Sequence, residues 1–122
     1  MGKFVGAMRV NEGIVVSCDN FTSLEDGKNI FKINEHNLVL LIDDIDAGIK
    51  FCRKHLKEFQ SKEGGFKAIG EKIEEKLSNP ENEFKNKMIT LALVGYEKDF
   101  IPQPFVAFLF DGESLKKIPY QN

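Results

Sequence analysis

The stretch from Asp26 to Phe59, DGKNIFKINEHNLVLLIDDIDAGIKFCRKHLKEF, constrains the fold more than any other part of the chain. Ile30, Phe31 and Ile33 mark one strand, and Glu35-His36-Asn37 is a tight connection. Leu38 to Ile42 is an unbroken apolar run, the pattern of a strand buried on both faces. Asp43 and Asp44 stop that strand and suit the N-terminus of a helix. Beyond them Ile45, Ile49, Cys52, Leu56 and Phe59 recur at steps of four, three, four and three, one apolar stripe at helical period. Two strands that run straight into an amphipathic helix require a sheet with a helix lying on it.

The rest of the chain extends this unit. Lys3 to Val10 and Gly13 to Asp19 read as a hairpin turning at Asn11-Glu12-Gly13, and Ile14-Val15-Val16 is apolar on both faces. Between Glu63-Gly64-Gly65 and Ser78-Asn79-Pro80 a second helix carries its stripe on Phe66, Ile69, Ile73 and Leu77. Pro80 to Lys87 reads as a polar loop. Met88 to Val94 and Phe105 to Phe110 read as buried strands, separated by a Pro-containing loop over Gly95 to Pro104. The turn Asp111-Gly112 follows, and Ser114 to Tyr120 leaves room for a short last strand. The expected order is β-β-β-β-α-α-β-β with one further β. The fold class is α+β, antiparallel sheets with two consecutive helices on one face.

Composition bounds the function. At 122 residues, 42% hydrophobic and 30% charged, the chain is one globular domain. A net charge of -2 gives no reason to expect nucleic acid or an anionic membrane as partner. No apolar run approaches the ~20 residues of a membrane span. MGKFVGAMRV lacks the apolar core of a secretory signal, so the expected compartment is the cytoplasm. Cys18 and Cys52, the two cysteines, are expected to be buried free thiols.

Candidate chemistry is sparse. Asp43, Asp44 and Asp46 cluster between a strand and a helix, but they lack calcium-loop spacing, and helix capping accounts for them. Lys50, Arg53, Lys54 and Lys57, with His55 beside them, form a basic helix face without interleaved aromatics, the pattern of a solvated surface. Cys18 with His36 or His55 would make a nucleophile–base pair, but no nucleophile elbow or Gly-rich loop accompanies it. GxGxxG, P-loop, HExxH and CxxC patterns are absent from the sequence. No catalytic, cofactor-binding or metal-ligating residue is assigned, and no cofactor.

The strand segments nevertheless resemble a known family. Phe4-Val5-Gly6-Ala7-Met8-Arg9 followed by Asn11-Glu12-Gly13-Ile14-Val15-Val16-Ser17-Cys18-Asp19 is similar to the opening of proteasome subunits, a V-G-I strand before K-D-G-V-V-L-A-A-D. Lys28-Asn29-Ile30-Phe31-Lys32-Ile33-Asn34-Glu35-His36 resembles the family's K-I-F-K-I-D-D-H. Leu38 to Ile42 with Asp46-Ala47 stands where the family has A-G-L-x-x-D-A, and Met88 to Val94 and Phe105 to Asp111 stand where it has its next two strands. The resemblance implies the N-terminal nucleophile hydrolase fold, two stacked sheets between helical layers, of which this chain would be half.

The same resemblance implies a site whose parts are mostly replaced. The nucleophilic Thr position falls on Gly2, which has no hydroxyl. The Asp position falls on Asp19 and is kept. The Lys position falls on Asn29, with Lys28 adjacent. The oxyanion Gly falls on Asp43 or Asp44, of the wrong charge for a developing oxyanion. The chain stops a little past the family's midpoint, so a single copy would leave sheet surface uncovered, and self-association about a two-fold axis is the expected remedy. The resulting expectation is a catalytically inactive, proteasome-subunit-like protein that acts by assembly as a structural, regulatory or interaction module. It would be a homo-oligomer open to a protein partner, without nucleic acid or membrane. The alternatives are an N-terminal nucleophile-type hydrolase with another nucleophile, and a small-ligand or partner-binding domain.

Overall fold

The computed structural model describes residues 5–10, 13–18, 30–43, 45–60, 65–97 and 101–119. Strands β1 (Val5–Val10) and β2 (Gly13–Cys18) form an antiparallel hairpin that lies against β6. Strands β3 (Ile30–Asn34), β4 (Asn37–Asp43), β5 (Ile89–Glu97), β6 (Ile101–Phe110) and β7 (Leu115–Pro119) form a five-stranded antiparallel sheet in that spatial order. Between β4 and β5 the chain makes helices α1 (Ile45–Lys54), α2 (Leu56–Phe59) and α3 (Phe66–Ser78) and a 3-10 turn over Asn82–Phe84. The fold is α+β. The short final strand forms as β7, and α1 and α3 lie on the sheet.

Alternation sorts the strand residues between two faces. On the helix-covered face Ile33, Val39, Leu41, Leu91, Leu93, Phe108 and Phe110 join Phe51, Phe59, Ile69, Ile73 and Leu77 in one core. On the second face Leu40, Ala92 and Val94 form a smaller buried cluster, flanked by half-buried Ile30 and Leu38. The continuous apolar runs of β4 and β5 follow from burial on both faces.

The helical segment departs from its expected stripe. It breaks at His55, and the side chains it buries among the described residues are Ala47, Phe51, Cys52, His55 and Phe59, whereas Ile49 and Leu56 are only half-buried. The stripe is rotated so that Phe51, the larger side chain, reaches the core. His55 thereby turns inward, away from the exposed basic residues Lys50, Arg53, Lys54 and Lys57 among which the sequence placed it. In α3 the expected stripe holds: Ile69, Ile73 and Leu77 are buried, and Phe66 packs against them half-buried. The loop expected over 80–87 contributes a core residue, Phe84, from its 3-10 turn.

The expected loop over Gly95 to Pro104 is largely strand. The β5–β6 ladder runs on through Gly95↔Gln103, Tyr96↔Pro102 and Glu97↔Ile101, leaving only residues 98–100 outside the description. Prolines are tolerated there because β7 reaches only Val106 along β6, so among the described residues the outer edge of β6 beyond that point has no ladder to lose. The remaining edges are also guarded: β7 carries Lys116 and Lys117, and β3 is interrupted by a bulge between Lys32 and Asn34.

This extended hairpin caps α3. Gly65, at the N-cap position, has no side chain to offer, and the carboxylate of Glu97 takes over: its Oε2 accepts the N–H of Lys67 at 2.6 Å. At the neighbouring turn, Asn34 Oδ1 accepts the N–H of His36 at 2.9 Å and Nδ2 of Asn37 at 3.2 Å. Tyr96 N–H then donates to the His36 carbonyl at 3.2 Å, tying the turn to β5. Asn37 crosses over Gly95. A Cβ on Gly95 would stand 2.5 Å from the His36 carbonyl oxygen and closer still to Asn37 Oδ1.

Two stability outcomes follow. Gly95→Ala should cost about 1–3 kcal/mol in urea or thermal denaturation, because backbone as well as side chain must shift. Glu97→Ala should cost about 1 kcal/mol, with amide-exchange protection lost chiefly in the first turn of α3.

Candidate functional site

The residues singled out from sequence are scattered. Gly2, Asp19, Lys28, Asn29 and Asp44 lie outside the described residues. Cys18 ends β2 and Asp43 ends β4 as backbone positions, so the expected burial of the Cys18 thiol and the capping by Asp43 and Asp44 also fall outside the description. Asp46 is exposed in the first turn of α1, where it lines a cleft of about 310 Å³ with Lys50, Glu83 and Lys87 beside Phe84. Cys52 is fully buried, and burial pushes its thiol up to about 12, which removes it as a thiolate nucleophile at neutral pH.

The two histidines have unrelated surroundings. His55, 7% exposed, sits in an aromatic cage, its ring centroid 5.0 Å from Phe51, 6.1 Å from Phe59 and 6.5 Å from Phe84. Burial among those rings disfavours the imidazolium and lowers its pKa, and Lys76 adds to the effect while Glu58 and Glu81 oppose it. Ion pairs surround the cage. Lys54 bridges Glu81 and Glu83 and lies 5.7 Å above the Phe84 ring, and Lys76 pairs with Glu58 at 3.0 Å. Glu81 is held below the usual carboxylate range by Lys54, and Glu58 by Lys76. Lys54 thus fastens the 3-10 turn to α1 rather than offering a free cation.

His36 belongs to a different place, a cleft of about 290 Å³ at the β3–β4 turn, on the second face of the sheet. Ile30, Leu38 and Val94, from three adjacent strands, form its apolar floor. Tyr96 makes one wall, its ring held edge-on against His36 with centroids 5.9 Å apart and planes at 82°. Lys32 and Glu35 complete the rim. Both are exposed, and neither forms an ion pair among the described residues. Asn37 lies at the base. It is 5% exposed, and its Oδ1 is the buried side-chain acceptor without a hydrogen-bond partner among the described residues. That oxygen rests against Gly95, so the close approach there also shapes the cleft.

From this cleft the second face continues as a partly covered apolar surface. Ile42, Ala107 and Leu109 are half-buried, Ile118 is 41% exposed, and Met88, just before β5, is 54% exposed. Ala107 and Ile118 are register partners across β6 and β7, so exposed Ile118 lies beside half-buried Ala107. Among the described residues no helix is long and apolar enough to cross a membrane, and no three His, Cys, Asp or Glu side chains gather as metal ligands.

No family model, curated protein or solved structure matches the chain.

The cage makes a pH dependence. An unfolded imidazole titrates near 6.5, and the folded one at a lower value. Between the two the unfolded chain binds more protons, so stability is lost as pH falls below 6.5 and levels off below the folded value. His55→Phe should abolish this component, seen as a shallower fall of the variant's urea midpoint than of the wild type's as pH drops below 6.5.

Proposed function

We propose that the protein is a non-catalytic relative of proteasome subunits, half of an N-terminal nucleophile hydrolase-like layered fold, which works by pairing with a second copy through the second face of its sheet. The observation that carries this reading is the asymmetry of cover. The first face of the sheet lies under α1 and α3, while the second, buried at Leu40, Ala92 and Val94, retains half-buried Ile42, Ala107 and Leu109 and exposed Ile118 toward β6 and β7. A sheet face of this kind finds cover most simply in another sheet, stacked about 10 Å away. Two copies facing one another would produce the helix–sheet–sheet–helix order that the sequence resemblance implies.

The lack of catalysis rests on the residues themselves: Gly2 without a hydroxyl, Asn29 in the Lys position, and acids at Asp43 and Asp44 in place of the oxyanion Gly. Lys54, a cation of the helical segment, is already committed to Glu81 and Glu83.

At micromolar concentration sedimentation should give a dimer mass, and Leu109→Lys or Ile118→Lys should shift it to the monomer without unfolding the chain. Fluorogenic peptides should not be turned over by either species. A wild-type monomer would overturn the assembly, and turnover abolished by an electrophilic hydrolase inhibitor would overturn the inactivity.

A further inference from the structure

We propose that the cleft beside the β3–β4 turn is a binding site for a small zwitterionic aromatic molecule of the amino-acid class. This goes beyond assembly through the sheet face; because the cleft opens on that same face, the titration is run on both the wild type and the Ile118→Lys variant.

Size sets the first limit. About 290 Å³ lies at the lower end of ligand cavities and suits a ligand of one or two rings. The floor sets the second. Ile30, Leu38 and Val94 present only aliphatic groups, and the Tyr96 ring stands beside them, so the body of the ligand is apolar and flat. Tyr96 is held in place before any ligand arrives, by its contact with His36 and by its N–H bond to the His36 carbonyl, so little side-chain freedom is lost on binding.

The rim sets the third. Its charged side chains are one cation, Lys32, and one anion, Glu35, and neither is engaged in an ion pair among the described residues. Elsewhere lysines and glutamates pair across elements, as Lys54, Lys76 and Lys117 do with Glu81, Glu58 and Glu74. A ligand carrying a carboxylate for Lys32 and an ammonium for Glu35 matches both ends of the rim, whereas a singly charged ligand leaves one of them unanswered.

The test titrates the full-length 15N-labelled protein with L-phenylalanine, with 3-phenylpropionate, which lacks the amine, and with phenethylamine, which lacks the carboxylate. L-Phenylalanine should give saturable amide shifts confined to residues 30–38 and 94–96. Each analogue should bind about tenfold more weakly, the loss expected for one hydrogen bond between charged groups. Lys32→Gln, an exposed position that leaves the core intact, should weaken L-phenylalanine about tenfold and leave phenethylamine unchanged, with Glu35→Gln doing the converse. No saturable shift at millimolar concentration, shifts centred elsewhere, or analogues that bind as tightly as L-phenylalanine would each overturn the proposal. Assembly is read separately by sedimentation, so either idea can fail alone.

Discussion

The pairing of β4 with β5 is the constraint on which the rest depends. Their register is unbroken from Asn37↔Gly95 to Asp43↔Ile89, although the whole helical segment intervenes. Because Asp43 ends one strand and Ile89 begins the other at the same level, the chain must leave and return at one end of the sheet. The helices therefore have no room except across its face. Loop closure over so long a segment grows only logarithmically in cost. Phe51, Phe59, Ile69, Ile73 and Leu77 offset it by burying their side chains against Leu41, Leu91 and Phe108.

The sequence revealed this framework well because its signals are local. β-Branched and aromatic runs separated by turn residues give the strands, and the period of α3 gives its buried stripe. What it hid depends on distant partners. The stripes 45/49/52/56/59 and 47/51/55/59 fit helical spacing almost equally, and an imidazole counts as polar until three phenylalanines surround it. Only tertiary packing chooses between them. Pro102 and Pro104 argue for a loop unless it is known that β7 stops at Val106.

The cleft was the least legible feature. Its floor and rim come from residues 30–38, but Val94 and Tyr96 arrive through the β4–β5 register, and the sequence marks neither as part of a site. The available signal was the pair Asn34 and Asn37 around a two-residue turn, where neither Glu35 nor His36 adopts a positive φ. Such a turn tends to splay its strands, and the bulge at the end of β3, the two bonds to Asn34 Oδ1 and the Tyr96 N–H hold it closed. The close fit of Asn37 over Gly95 has a structural origin, and the cleft is the space left beside it.

The guarded sheet edges also determine what kind of particle can form. Strand-by-strand addition has no natural end: each added copy presents a fresh edge, and the product is a fibre. Here the edge of β6 that extends past β7 carries two prolines, β7 carries two lysines and β3 is bulged, so sideways growth is unfavourable at both margins. Contact through faces about a two-fold axis uses up the surface that made it and stops. A handful of backbone and charge choices at the rim of the sheet thus works against open-ended polymerisation by strand addition.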